Sequence, residues 1–543
     1  MGSPKLYDRQ VNFSGGMNAY LNPYELPPNQ SQLLQNMVVM DNGRAITRPG
    51  ADALGAVPGT GAVNGLFFLN NYTNGTRLLA GKGTSLYAWN NSSWSSLSIS
   101  SWNPAGSFVG VQGNNYLMIS DGSIAHGMQI WDGATFHQFS NSSSPTNAPL
   151  GVTILSYIAG MFVAAGTSMH DTTGTVYPAD TLFFSNYLLA GYSTSTGAGG
   201  WNNLNSIRVG VGDGDPIVAL APIQSTAGAT PSYNLAVLKQ NSVWILTWNP
   251  ATSIGSTPNW TAAPQGEQTG INTGCVGSQA WCQYQNDVLF MSQDGVQSIQ
   301  RMQAASGQYQ LTSPLSLPIQ PYIDRIHWAY ASGIQAVKYH QYAIFFVPLD
   351  NATVNNYALV WDGRIGQWMI WTGWTPTAAC VTRFNGIVQL VIGDSTGGIN
   401  LWKDSKAVEG VDSTYLDNGA GINWSISTRS MIFGNLDFQK KPHSTQVKFN
   451  RGNSNVSLAA YLDLSAQDNW VNTITPNGIK FPIQLPFILT ASGPTSVYRT
   501  LEGIPYFNEM YLTIAGTAPN YGWADVRNVV VSAFSKPIRN PDA

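Results

Sequence analysis

The sequence predicts an all-β chain: a β-propeller of six or seven blades with insertions, an extended N-terminal arm before it and a C-terminal β-sandwich after it. Three observations lead there. Tyr357 to Trp371, YALVWDGRIGQWMIW, is an apolar run that reaches Asp362-Gly363 and returns through a second aromatic run. Asp-Gly supplies the positive φ angles of a tight turn, and Val360, Trp361, Trp368, Met369 and Ile370 suit a pleated, largely buried surface, so the stretch reads as a β-hairpin. The unit then recurs: Leu86 to Trp94, Met128 to Phe136 and Ile399 to Asp404 repeat an apolar strand ending in Trp before a polar turn. Trp89 and Trp131 are 42 residues apart and Trp361 and Trp402 are 41 apart, the length of one four-stranded blade. Finally, only 10% of residues are charged while aromatics reach 11%, against roughly 25% charged in ordinary globular domains. That profile suits a long-lived all-β surface protein.

The arm is residues 1–57. Gly15-Gly16, Pro23, Pro27-Pro28 and Pro49-Gly50 punctuate it and leave little strand pattern. Ser31 to Met40 reads as a short helix, capped by Asn29 or Ser31 and burying Leu33, Leu34 and Met37. The rest reads as extended chain that lies over its own domain or reaches a neighbour.

A resemblance enters with these residues. Gly15-Gly16-Met17-Asn18, Leu26-Pro27-Pro28-Asn29-Gln30, Leu34-Gln35-Asn36 and Gly43-Arg44 through Arg48-Pro49-Gly50 resemble the opening of tail nozzle or tail hub proteins of short-tailed bacteriophages. Asp213-Gly214-Asp215-Pro216-Ile217, Leu235 to Leu238, Val243 to Leu246, Gly277-Ser278 and Leu289 to Gly295 resemble their blade sequence. The likeness covers roughly residues 12 to 404 as order and punctuation. It implies a propeller-bearing virion protein that forms a homohexameric ring below the portal and the head-tail adaptor. Arg44 and Arg48 would then anchor the arm on carboxylates or carbonyls; the equal alternative is a pair of solvated arginines in a turn.

The propeller is residues 58–415. Leu66–Leu69, Arg77–Ala80, Ser85–Trp89 and Trp94–Leu97, with Asn74-Gly75 at a turn, read as one blade. Phe108–Val111, Tyr116–Ile119, Met128–Trp131 and Thr135–Phe139 read as the next. Trp89, Trp131, a weakly marked unit near Leu182, Trp244, Ile299, Trp361 and Trp402 are the blade landmarks. A blade cannot bury both faces alone, so the repeated Trp residues read as packing core in preference to a sugar-stacking surface.

Residues 416–543 change pattern. Trp424–Thr428, Thr445–Phe449, Val456–Leu462, Glu509–Ile514 and Val526–Phe534 alternate as strands of a sandwich. Arg429, Lys440, Lys441, Lys448 and Arg451 fall within 23 residues, the most basic stretch of the chain. They read either as a docking face for an acidic partner or DNA, or as a solvated strand edge that discourages edge pairing. Arg44, Arg48, Lys440, Lys441 and Arg451 are the candidate partner-interface residues.

The search for chemistry assigns no catalytic residue, cofactor or metal. Asp121, Asp132, Asp294 and Asp362 each precede glycine, where turn formation explains them. Gly393 to Gly398 resembles an Asp-box turn only in part. Ala80 to Thr84 lacks the Walker A order, and Gly210 to Asp215 lacks the later bidentate Glu of a calcium loop. The six histidines form no H-x-H or H-E-x-x-H pair. Cys275, Cys282 and Cys380 read as three buried thiols, with a Cys275–Cys282 bridge as the alternative.

Net charge is −3, and no Lys or Arg occurs between Lys82 and Arg208. That part of the chain cannot grip DNA electrostatically, yet a conduit in which DNA slides without sticking remains allowed. No apolar run approaches a bilayer span and the N-terminus lacks an apolar leader, so a soluble chain with no membrane anchor is expected. The expected role is therefore structural, not enzymatic. It is a nozzle or hub in the virion tail, assembled in the host cytoplasm, with portal, adaptor and tail fibres or spikes as partners and DNA in transient passage. A carbohydrate-binding or carbohydrate-hydrolysing propeller is the alternative from another class, and a propeller at another virion position such as a spike base is a third.

Overall fold

The computed structural model describes residues 5–536 apart from 72–74, 98–107, 126, 135, 139–147, 172, 186–200, 226–231, 249–266, 272, 305–312, 385–386, 404–411, 435, 437, 453–454, 464–469, 475–494, 502–503 and 518–523. The chain is all-β. Among the described residues, seven blade sheets follow one another at 63–97, 109–138, 154–208, 217–271, 281–298, 335–372 and 376–402. Each blade's first strand lies beside the first strand of the next, and the circle closes where Pro376–Phe384 meets Val63–Asn71. The propeller therefore has seven blades.

The landmark residues explain why the period was visible. Trp89, Trp131, Leu182, Trp244, Trp361 and Trp402 all lie in the third strand of their blades, and Ile299 directly follows the third strand of the fifth. Trp131, Trp371 and Trp402 are at most 3% exposed, and Trp371 stacks on Trp402 with ring centroids 4.8 Å apart, so these rings are core. Asn74, Thr135 and Phe139 lie outside the described residues. The hairpin Tyr357–Asp362 to Gln367–Thr372 pairs in the expected register, with Trp361 opposite Trp368. Its turn differs from expectation. The positive φ falls at Gly366, whose N–H donates to the Asp362 carbonyl at 2.7 Å, while Gly363 approaches the Tyr284 ring closely instead.

The first 56 residues are woven into both domains through five strands, which we label β1 (Lys5–Gln10), β2 (Leu33–Gln35), β3 (Met37–Val39), β4 (Ala45–Thr47) and β5 (Ala51–Ala56). β1 and β4 pair with Ala524–Lys536, the central strand of one sandwich sheet, which also pairs with Gln439–Gly452. β2 runs beside Gln367–Thr372 of the sixth blade on one side and Trp424–Ser427 on the other. One continuous nine-stranded sheet thus passes from the blade into the sandwich. β5 is the fourth strand of the seventh blade, pairing with Gly398–Trp402. The expected helix at Ser31–Met40 is not formed. Asn36, at φ +55°, splits the segment into β2 and β3, and Leu34 and Met37 are buried as strand residues. Apolar spacing alone does not separate a helix from two short buried strands.

Between the two sandwich sheets, Val447, Phe449, Val529, Val531, Leu458, Ala460, Leu512 and Ile514 form a core continuous with that of the sixth blade.

Candidate functional site

Within the opening that carries the resemblance, Gly16, Asn36, Arg48 and Gly50 lie at the joint between the sixth blade, the seventh blade and the sandwich, whereas the blade residues that share it lie in and beside the fourth and fifth blades. Gly16 holds φ +64°, and a side chain there would collide with Gln367 of the blade hairpin. Asn18 Oδ1 accepts from the amides of Tyr20 and Leu21, each at 3.1 Å, and its Nδ2 donates to Gln30 Oε1 at 3.2 Å. Asn36 is a hub. Its backbone N–H donates to Ile370 O, its Nδ2 donates to Thr372 Oγ1 and Asn423 O, and its Oδ1 accepts from Thr372 N and Arg48 Nε.

Arg48 is fully buried, and all five guanidinium N–H groups are used. Nε donates to Asn36 Oδ1 at 3.0 Å, and Nη1 donates to Pro49 O at 3.0 Å and Asp417 Oδ1 at 3.1 Å. Nη2 donates to Thr372 O at 2.7 Å and Asp417 Oδ2 at 2.6 Å. The guanidinium carbon also lies 3.8 Å from the Trp374 ring centroid. Burial lowers the Arg48 pKa from its ordinary value, with Asp417 opposing the shift. Gly50 completes the turn: a Cβ there would stand 1.9 Å from the carbonyl oxygen of Leu416, so backbone packs on backbone.

The other candidate residues separate. Arg44 pairs with Asp525 and donates through Nε to Asn42 Oδ1 at 2.9 Å, tying the β3–β4 turn to the sandwich. Lys440 is 1% exposed and its Nζ donates to Asn508 O at 2.9 Å, so it faces inward and does not line a docking surface. Arg48 is withdrawn from any external partner for the same reason. Arg429 is buried as well, pairing with Asp8 of β1. Lys441 is exposed and Lys448 half-buried. The backbone of Arg451 pairs with Asp525, and its side chain lies outside the described residues. Charge counts along a strand do not tell which face a side chain takes, which is why Lys440 turned inward while Lys441 stayed outside.

Of the carboxylates weighed for catalysis, Asp121, Asp132 and Asp362 each accept from the backbone amide two residues on, and two further carboxylates are held in turns of their own. Asp394 Oδ1 accepts from Thr396 N, Thr396 Oγ1 and Gly398 N, and Asp171 Oδ1 accepts from Thr173 N, Thr173 Oγ1 and Thr175 N in the same geometry. Burial opposes ionisation of Asp171, but these bonds and one from the Tyr177 hydroxyl outweigh it and hold the carboxyl at about 2. Asp213 pairs with the buried Lys239, with Nζ 2.6 Å from Oδ2, and so fastens the connection into the fourth blade. All three cysteines are free, and burial pushes each thiol up to about 12.

A feature with no sequence signal packs among the first strands of the blades. The 3-10 helix Trp328–Gly333 lies inside the ring of first strands, where Asn355 Nδ2 donates to Gly333 O at 2.8 Å and to Pro376 O at 2.9 Å. Ser332 lines a cavity of 240 Å³ against blades one, two, six and seven, and another of 420 Å³ against blades three, four and five. No helix among the described residues is long and apolar enough to cross a membrane.

No protein-family model matches the sequence, and no curated protein matches it. Solved structures similar to this chain include BBS1N in complex with ARL6DN, with a TM-score of 0.39 at 10% identity over 67% of this chain and 98% of that one. The WD40 β-propeller domain of Doa1 has a TM-score of 0.33 at 9% identity over 66% of this chain and 98% of that one.

Proposed function

We propose that this chain is a structural protein of a short phage tail, a nozzle or hub whose copies ring the genome's exit path beneath a portal and adaptor. One observation carries the reading. Residues of the opening that resembles the tail proteins are built into a joint, where Asn36, Arg48 and Gly50 bond the propeller to the sandwich. The role is mechanical, not catalytic. Because the 3-10 helix Trp328–Gly333 packs among the first strands of the blades, the conduit would lie between copies, walled by propellers. Those walls are weakly charged: residues 58–415 hold 16 acidic and 11 basic side chains, so they would let phosphate pass without holding it.

A second reading draws on the 240 Å³ cavity, whose lining includes Asn64, Gln279, Gln335, Asn355 and Tyr330 and no charged side chain. Amides beside an aromatic ring suit a neutral sugar. The deciding experiment mixes the purified chain with portal and adaptor rings and images the particles. A six-fold ring seated under the adaptor is expected. A monomer that ignores the adaptor and binds or cleaves glycans overturns the proposal in favour of the second reading.

A further inference from the structure

The outer face of the sandwich sheet that contains β1 has a composition unlike the rest of the surface. Direct pairing across its strands defines the rows. Lys5, Phe534 and Lys441 form one; Tyr7, Ser532, Ser444 and Thr500 the next; Arg9, Val530, Gln446 and Tyr498 a third; Asn528 and Lys448 a fourth. The hydroxyls of Ser444 and Ser532 meet at 2.8 Å, as residues on a shared face do. The opposite face points inward, with Gln10 fully buried and Asp8 bound to Arg429.

Four cations therefore share this face with no carboxylate among its described residues, in a chain where charged residues of either sign are only 10%. Their placement has a pattern. Val530, Ser532 and Phe534 run down the middle, with the His443 ring 5.0 Å from Phe534, and Lys5, Arg9, Lys441 and Lys448 stand around them. Tyr7 and Tyr498 are 66% and 64% exposed. A middle column of Val530 and Phe534 about a paired Ser532, with exposed tyrosines and cations around it, has the anatomy of a protein interface. Nucleic acid is less well suited, because affinity there rises with the number of phosphates neutralised, and four cations on a flat face are few.

We infer that this face docks on the slightly acidic propeller of a second copy, making the head-to-tail contact by which a ring closes. The inference rests on the ring reading proposed above. Charge complementarity selects the occupant: the propeller has an excess of acidic side chains, while β1 and the Gln439–Gly452 strand bring cations to this face. A contact between two different surfaces of the same chain is heterologous, and such contacts close into rings when the rotation allows.

The test measures self-association of the full chain by native mass spectrometry and sedimentation, for wild type, K441E/K448E and K441R/K448R. Both lysines sit on the surface face, and circular dichroism checks that each variant is folded. Wild type is expected to assemble, with assembly weakening as salt is raised. The Glu variant is expected to associate about tenfold or more weakly, and the Arg variant to match wild type. Rings of undiminished strength in K441E/K448E overturn the assignment of this face and leave the ring reading intact. A wild-type chain that stays monomeric at every concentration overturns the ring itself. If the Glu variant instead loses affinity for a DNA duplex while its self-association is unchanged, the face belongs to nucleic acid and the inference fails.

Discussion

The propeller and the sandwich are both antiparallel β structures, but they are assembled from the chain in opposite ways. Five of the seven blades are built from strictly consecutive strands, each pairing with its neighbour in sequence, and the third departs only by an inserted hairpin, Met169–His170 to Val176–Tyr177. The sandwich is built from the two ends: β1 and β4 pair with Ala524–Lys536, and β2 inserts between Gln367–Thr372 and Trp424–Ser427. Local pairing closes small loops, and distant pairing must close long ones before any contact offsets the lost entropy. The seventh blade belongs to both schemes, since its fourth strand is β5. Ring closure and sandwich formation are therefore coupled through residues 33–56, and Arg48 is where the coupling is most concentrated.

The largest effect expected from breaking that coupling comes from Arg48→Met. The substitution removes a fully buried cation and leaves Asp417 and the Asn36 side chain without its bonds. Loss of one partner from a buried pair costs about 3–5 kcal/mol, and calorimetry should show the propeller and sandwich transitions moving down and separating. Replacing a landmark tryptophan by a smaller apolar residue should disturb one blade and leave the joint intact.

Gly50→Ala sharpens the same contrast with a smaller perturbation. The added methyl meets the Leu416 carbonyl, so the 414–418 backbone must shift, at about 1–3 kcal/mol for overpacking. The expected readout is faster amide exchange in β5 and Gly398–Trp402, with the second to fourth blades unchanged.

The smallest effect is confined to one propeller insertion. The Asp171 carboxyl is held at about 2 in the folded chain, against about 3.9 when unfolded. Its folded pKa is depressed, so its contribution is complete above the unfolded value and disappears as pH falls through the folded one. The hairpin Met169–His170 to Val176–Tyr177 should loosen between about pH 4 and pH 2, followed by amide exchange at Thr173 and Thr175. Asp171→Asn should remove that pH dependence.

The same contrast explains how much could be read from the sequence. Blade strands were legible where third-strand tryptophans fall 42 and 41 residues apart, in the first and second and in the sixth and seventh blades, and where the pairing is local. The joint was only half legible. Asn36 and Arg48 stood out as motif residues, but their partner Thr372 is 336 residues from Asn36 and nothing in the sequence marks it. Leu33, Leu34 and Met37 fit a helical period equally well, and the positive φ at Asn36 that decides against the helix has its support from Ile370 and Asn423. β5, ADALGA, has too little strand character to announce that it closes a blade. The basic cluster misled because alternation puts Lys440 and Lys441 on opposite sides of one strand, whereas Lys5 and Arg9, which do share the exposed face with Lys441, are more than 400 residues away.

The most direct measurement is differential scanning calorimetry of the wild-type chain beside Arg48→Met. If the N-terminal strands weld the two β domains into one rigid wall, wild type melts in a single cooperative transition and the variant in two. Two independent transitions in wild type, with the sandwich unfolding while the seven-bladed ring stays closed, would contradict the joint and remove the structural basis for the proposed tail role.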